Sequence, residues 1–482
     1  MTINRRCACA LISLAVASSA EAQLSDSITE VVGSTDAELD HPRAIAVDDS
    51  GTVYVTSQGY HHVLKVAPTG HVTTLIDLTG DGQGNPYLYP MALALGGGGN
   101  VYTAGQDSDN AFKIAPDGTI TEIIDATGDG AGNSLNQPWV IAADEAGNVL
   151  VPGAGSHNVF RIAPDGTITE IIDATGDGTG HTLSRPWGVA LDDFGNAYVT
   201  GNDSHNAFRI APDGSITQII DATGDGSGAL LAEPREIAVD GSGNVYVVGE
   251  ASNNAFEITP SGVITQIIDG TGDGAGNLLE LPRSIAVDGS GNVYVAGLLS
   301  HNAFRITPSG TITEIIDELG DGAGKALLNP WGITADSEGS SAYVSGWTSF
   351  NVFRVELQPI GVWMDLGFGL EGQVGIPVLA GSGLLLANEL LSLSLLGAKP
   401  SAASWLVVGA TSINVSFKGG VLVPDPDLVV ALGTDGLGNA TADGRWPPGV
   451  PSGASFYFQW WIQDSAGPQG LAASNALSVT TK

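Results

Sequence analysis

The chain has 482 residues, with 17 Lys and Arg against 52 Asp and Glu and a formal net charge of −35. A surface of that sign repels phosphate backbones and anionic lipid headgroups, so nucleic acid and membrane surfaces are not expected partners. The 67 Gly and the modest aromatic content read as many short strands joined by tight turns, not as long helices.

At the N-terminus, Arg5 and Arg6 precede the apolar run CACALISLAVA. Ala20-Glu21-Ala22 then satisfies the small-residue rule for signal-peptide cleavage. Residues 1–22 therefore read as an export signal, with the mature chain starting near Gln23 in a secreted or periplasmic protein. Cys7 and Cys9 fall within that segment, which leaves the exported chain without a disulfide or a Cys-ligated metal. No later stretch reads as membrane-spanning. The most apolar one, GSGLLLANELLSLSLLG, contains Glu389 and alternates with a period of two.

Seven prolines, Pro42, Pro90, Pro138, Pro186, Pro234, Pro282 and Pro330, are spaced 48 residues apart. Each opens a unit such as PWGVALDDFGNAYVTGNDSHNAFRIAPDGSITQIIDATGDGSGALLAE. Within it, PWGVALD, AYVTG, NAFRIA and ITQIID alternate as strands and are parted by turn residues. Four antiparallel strands per unit make one propeller blade, and stacked blades bury faces that no single blade can cover. Units one to six each carry a fourth strand, whereas the seventh runs from NVFRVEL into QPIGVW. A copy of the missing strand, SITEVV at residues 27–32, stands alone before the first unit. The expectation is an all-β chain with a seven-bladed propeller over residues 23–358, closed by this N-terminal strand, followed by a β-sandwich over residues 359–482.

The stretch DATGDG recurs between blades. Gly supplies positive φ, and Asp bonds nearby backbone N–H groups. It leads to Pro and a strand, not to a helix N-terminus, so it is no phosphate loop. Asp125, Thr127, Asp129 and Gly130 imitate the first half of a calcium loop, but position twelve is Asn136 here and Ser184 in the next repeat; only Glu280 stands where a bidentate carboxylate would. Turn structure is the main reading and Ca2+ the alternative; otherwise no cofactor is expected.

The stretch IAVDGSGNVYVAG...NAFRITPSGTIT (285–313) resembles the NHL repeat, and the resemblance covers residues 24–358, about seventy per cent of the chain. It implies a propeller. Proteins of this type include extracellular binding proteins, and similar rings include streptogramin-lyase-like and gluconolactonase-like enzymes that hold a metal at the ring axis. The candidate positions in this chain mostly repeat from blade to blade, and no metal site is assigned.

Antiparallel strands put the loop between the second and third strands on the same rim as the interblade loops. That loop carries His61, Asp109, His157, His205, Asn253, His301 and Phe350, each followed by His or Asn. A shared metal is hard to build from them, since equivalent positions on stacked sheets lie about 10 Å apart and zinc needs each nitrogen at about 2 Å. Turn residues bonding to backbone are the other reading. Directly after each repeat Pro come Arg43, Met91, Trp139, Trp187, Arg235, Arg283 and Trp331, expected to crowd the axis of that rim. Trp and Arg together can stack on sugars or hold a carboxylate; the alternative is packing between blades. Glu236 is the one carboxylate at the following position and is the first choice for an acid or base, with His205 and His157 as partners. On the opposite rim, Asp48, Asp144, Asp192, Asp240, Asp288 and Asp336 read as hairpin caps.

Beyond Pro359 the period ends, and SWLVVGA, DLVVALG, SFYFQWWIQD and NALSVTT suggest a sandwich. This part resembles a C-terminal domain of many secreted bacterial proteins. Phe456, Phe458, Trp460 and Ile462 share a core face; Tyr457 and Trp461 face the other way, to bind carbohydrate or cover the propeller. The sequence thus reads as a secreted, monomeric, non-catalytic recognition or scaffold protein. Its extracellular ligand, a carbohydrate, small anion or protein, is placed at the rim by Arg43, Trp139, Trp187, Arg235, Arg283, Trp331, His61, His157, His205 and His301. The alternative is a metal-assisted lyase or lactonase at the same mouth.

Overall fold

The computed structural model describes residues 27–33, 38–357, 363–382, 390–446, 450 and 454–480; the export-signal reading of residues 1–22 lies outside them. No α-helix occurs among the described residues, and none of their helical turns is long and apolar enough to cross a membrane. They fall into two compact units, divided at residues 357 and 358.

In the first unit seven four-stranded antiparallel sheets follow one another in sequence order. Blade 4 is typical: Pro186–Leu191, Ala197–Gly201, Asn206–Ile210 and Ile216–Ile220 pair consecutively from inside to outside. Blade 7 has three strands of its own, Pro330–Ala335, Ser341–Gly346 and Asn351–Glu356. Its outermost strand is Ser27–Gly33, paired antiparallel with Asn351–Glu356. The innermost strands of blades 7 and 1 are in contact, so the ring closes. An edge that would otherwise be free to pair with another chain is covered.

The joints between blades hold the core. Seven apolar clusters occupy the seven joints, each with residues from two neighbouring sheets. Between blades 4 and 5, for example, Ala190, Tyr198 and Ile220 meet Ile237, Val247 and Phe256. Phe112, Phe160, Phe208, Phe256, Phe304 and Phe353, from the third strand of blades 2 to 7, are fully buried in these layers. Burying one such ring contributes about 1.5–3 kcal/mol.

Blade 3 departs from the repeat. Its innermost strand shortens to Ala142–Ala143, with one further bridge between Pro138 and Gly153. In blades 1, 4 and 7 a hydroxyl on the second strand (Thr56, Thr200, Ser345) accepts an N–H from the innermost strand (Ala44, Gly188, Gly332). The equivalent residue in blade 3 is Pro152, which has neither an N–H nor a hydroxyl.

The interblade loops are closed by their own side chains. Asp125 Oδ1 accepts from Thr127 N at 2.8 Å and from Thr127 Oγ1 at 2.6 Å. Asp129 accepts from Ala131 N and from Asn133 Nδ2, both at 2.8 Å. Gly128 has φ +66, and a Cβ there would lie 1.8 Å from the Asn133 carbonyl oxygen, so the loop needs glycine at this point.

In the second unit, strands Met364–Gly367, Leu471–Thr480, Ser455–Gln463, Ala403–Gly409 and Leu428–Gly433 form a five-stranded sheet in that spatial order. Val378–Ser382, Leu390–Leu396 and Ala440–Arg445 form a three-stranded one. Phe456, Phe458, Trp460 and Ile462 pack with Leu391, Leu393, Leu395 and Leu406 in one core. The expectation of Trp461 as a carbohydrate platform fails on burial. Its ring is 3% exposed, packs with Val407, Leu422 and Ala473, and meets Phe417 edge-on at 5.0 Å. Phe417 belongs to a two-stranded hairpin, Ser412–Phe417 with Gly420–Pro424, and Leu422 is its other strand's contribution.

Candidate functional site: the mouth of the propeller

The loop between second and third strands docks on the chain entering its own blade. Gln106 N donates to Tyr89 O, Asn202 N to Arg185 O and Glu250 N to Glu233 O, each at 3.1–3.2 Å. These loops and the interblade loops therefore share one rim. On it, the seven residues after the repeat prolines form a nearly continuous circuit of side-chain contacts.

Met91 and Trp139 pack together with Ala154, and Trp187 lies against them; the Trp139 and Trp187 ring centres are 3.8 Å apart. The Arg235 guanidinium lies 3.6 Å above the Trp187 ring. Arg235 pairs with Glu250, whose other oxygen holds Arg283 at 2.6 Å. Arg283 and Arg43 both lie over Trp331, at 4.1 and 3.7 Å, and Trp347 is 5.6 Å from the same ring. Gln58 of blade 1 reaches the Met91 sulfur at 3.1 Å. All four tryptophans between residues 27 and 357 stand in this circuit.

Beneath it lies a cavity of ≈70 Å³, lined by Arg43, Arg283, Trp139, Trp187, Trp331 and Glu236 among others. The mouth is thus filled by planar side chains and is not an open channel. Glu236 Oε2 accepts from Ser284 Oγ and, at 3.0 Å, from Ile285 N; Ser284 Oγ in turn accepts from Ile333 N at 3.1 Å. This relay ties blades 5, 6 and 7. Burial pushes the Glu236 carboxyl up to about 7, against the opposing effect of its two donors.

The histidines do not join this cluster. His61, His157, His205 and His301 all sit at positive φ. The Nδ1 of each accepts a backbone N–H from the next interblade loop: Tyr89, Arg185, Glu233 and Asn329, at 2.8–3.0 Å. Asp109 and Asn253 do the same through Oδ1, toward Gln137 and Leu281. Accepting at Nδ1 places the ring proton on Nε2 in these histidines. The Asn that follows reaches the other way. Asn110, Asn158, Asn206 and Asn302 donate Nδ2 to a carbonyl of the incoming loop, at 3.0–3.1 Å. At the closing joint Phe350 has no acceptor, and it meets the His41 ring at 5.0 Å instead.

Glu250 is the functional candidate that the sequence reading missed, together with Gln58 and Trp347. The signal was present. The position after the last residue of the second strand holds Gln58, Gln106, Ala154, Asn202, Glu250, Leu298 and Trp347, all but one pair different, in an otherwise uniform repeat.

The donor set does not suit a divalent cation. No three His, Cys, Asp or Glu side chains come together among the described residues. Glu250 is committed to two guanidiniums, and Glu236 shares its cavity with Arg43 and Arg283.

A family model described as a β-propeller repeat (SBBP) matches residues 216–257. No curated protein sequence matches the chain. The structure is similar to virginiamycin B lyase from Staphylococcus aureus, at 19% identity over 69% of this chain and 99% of that one, with a TM-score of 0.53. It is also similar to a streptogramin B lyase, at 18% identity over 70% and 100%, with a TM-score of 0.56. A chain of a mitotic checkpoint complex aligns at 10% identity over 71% and 97%, with a TM-score of 0.50. These likenesses are of fold, and the chain is a β-propeller protein.

Proposed function

We propose that the chain is an exported, non-catalytic recognition protein that takes its ligand at the mouth assembled from Arg43, Trp139, Trp187, Arg235, Arg283 and Trp331. One observation carries this reading. Three guanidiniums are gathered on indole faces at a single mouth of a chain whose net charge is −35, and Glu250 pairs with only two of them. Aromatic faces beside Arg forks suit sugars, carboxylates and peptide groups, and a rigid ring holds them without ordering on binding. The histidines and the Asp-rich loops serve as scaffold in this reading.

A thermal-shift screen of glycans and carboxylated ligands against the purified chain tests it. The expected result is a ligand whose stabilisation is lost in Trp187→Ala and in Arg235→Ala. A ligand that stabilises both variants as well as the wild type would place recognition elsewhere.

A lyase or lactonase reaction at the same mouth is the second reading. Its favouring observation is Glu236, held in the cavity with a carboxyl poised near 7, as a general acid or base requires. Turnover separates the two: lactone hydrolysis or ester elimination by the purified chain that is lost on Glu236→Gln would favour catalysis.

A further inference from the structure

The mouth carries more positive charge than its own residues neutralise. Arg43 is 7% exposed, and among the described residues no carboxylate lies within ion-pair distance of it. Its Nε has no hydrogen-bond partner, and burial, the larger effect, lowers its pKa to about 10 although Tyr89 beside the guanidinium raises it. Buried charges are ordinarily paired, because an isolated one forfeits its hydration. Arg235 and Arg283 share Glu250, and the remaining carboxyl, Glu236, turns its Oε2 to Ser284 and Ile285. Whatever the state of Glu236, at least one positive charge is left over.

A second observation points to the same place. The indole Nε1 of Trp139, also 7% exposed, is buried without an acceptor. Trp139 and Arg43 both line the ≈70 Å³ cavity. Unmet buried donors call for an explanation, and an absent anion supplies one. The volume admits on the order of five waters, at about 10–15 Å³ each. That suits a group of four heavy atoms and is too small for a sugar ring. The shape discriminates further. Arg43 lies over the Trp331 ring, so its donors project from the edge of a stacked plane, and the walls contributed by Trp139, Trp187 and Trp331 are flat. A guanidinium edge takes two oxygens of a carboxylate or of a tetrahedral oxyanion alike; it is the flat indole walls that favour a planar anion, because a tetrahedral one carries oxygens above and below the plane.

We propose that the axial cavity is a binding site for a carboxylate group, with Arg43 Nε–H and Trp139 Nε1–H as its donors. The inference rests on the recognition reading above and narrows its ligand to a molecule bearing a carboxylate, the remainder lying over the indoles outside.

The test is calorimetric titration of the full chain with sodium acetate at fixed ionic strength, beside acetamide as neutral isostere and sodium sulfate as tetrahedral anion. Acetate is expected to bind and to raise Tm, and acetamide and sulfate to do neither. Arg43→Gln should abolish acetate binding. Trp139→Phe keeps a ring and loses one donor; it should weaken binding about tenfold, as one hydrogen bond to a charged group implies, which preserves the test if the Arg43 variant fails to fold. Equal effects of acetate and acetamide, equal effects of acetate and sulfate, or acetate binding that survives both variants would overturn the proposal. A screened ligand that needs Trp187 and ignores Arg43→Gln would leave mouth recognition standing and remove the carboxylate. A ligand indifferent to both would remove both.

Discussion

The Arg43 guanidinium lies 3.7 Å above the Trp331 ring, joining the first blade to the seventh across the joint where the ring closes. Among the described residues no carboxylate accompanies it, whereas Arg235 and Arg283 share Glu250. The two arrangements predict opposite effects of substitution. Glu250→Ala strands two buried cations and should destabilise the propeller by about 3–5 kcal/mol. Arg43→Met removes an uncompensated charge at similar volume and should leave stability unchanged or raise it. Chemical denaturation of both variants checks the pair.

Glu236 links stability to pH. Its carboxyl is raised from 4.5 to about 7 in the folded chain, so the unfolded chain releases its proton first as pH rises. The stability it contributes is fully present below about 4.5 and is lost as pH passes through about 7. The loss is on the order of 3 kcal/mol at pH 8. Glu236→Gln should flatten this slope; the difference between wild-type and variant stabilities, measured from pH 4 to 8, isolates it from the other titrating groups.

The interblade loops predict a contrast between neighbouring glycines. Gly128 and Gly130 both have positive φ, but only at Gly128 would a Cβ collide, 1.8 Å from the Asn133 oxygen. Gly130→Ala should cost about 1 kcal/mol from conformation alone. Gly128→Ala adds a backbone clash and should cost about 3 kcal/mol or more. Thermal melts of the two variants give the comparison.

Much of the fold was legible because one 48-residue pattern is printed seven times, and a missing fourth strand could be matched to its copy at residues 27–32. The Trp and Arg set was legible for the converse reason: these residues differ from blade to blade at a position that repetition leaves free. Glu250 was not, because its partners Arg235 and Arg283 belong to two blades and meet it only when the sheets are stacked around an axis. The short inner strand of blade 3 was missed too. Pro152 was visible, but the backbone N–H that it lacks matters only once its strand is seen to pair with the innermost one; the missing hydroxyl is not the cause, since blades 2, 5 and 6 carry Ala104, Val248 and Ala296 there and keep full inner strands. Trp461 alternates as an exposed residue should, and the hairpin that covers it comes from residues 412–424, distant in the chain.

A cationic aromatic mouth on an acidic chain is open to one direct measurement. The propeller's four tryptophans, Trp139, Trp187, Trp331 and Trp347, all stand there, so fluorescence lost in a variant with all four changed to Phe reports the mouth alone. Quenching of that component by iodide and by caesium at matched ionic strength, each constant divided by that of free N-acetyltryptophanamide, reads the local sign of the potential. The normalised iodide constant should exceed the normalised caesium constant despite the net charge of −35; a normalised caesium constant equal to or larger than that of iodide would contradict an anion-attracting mouth.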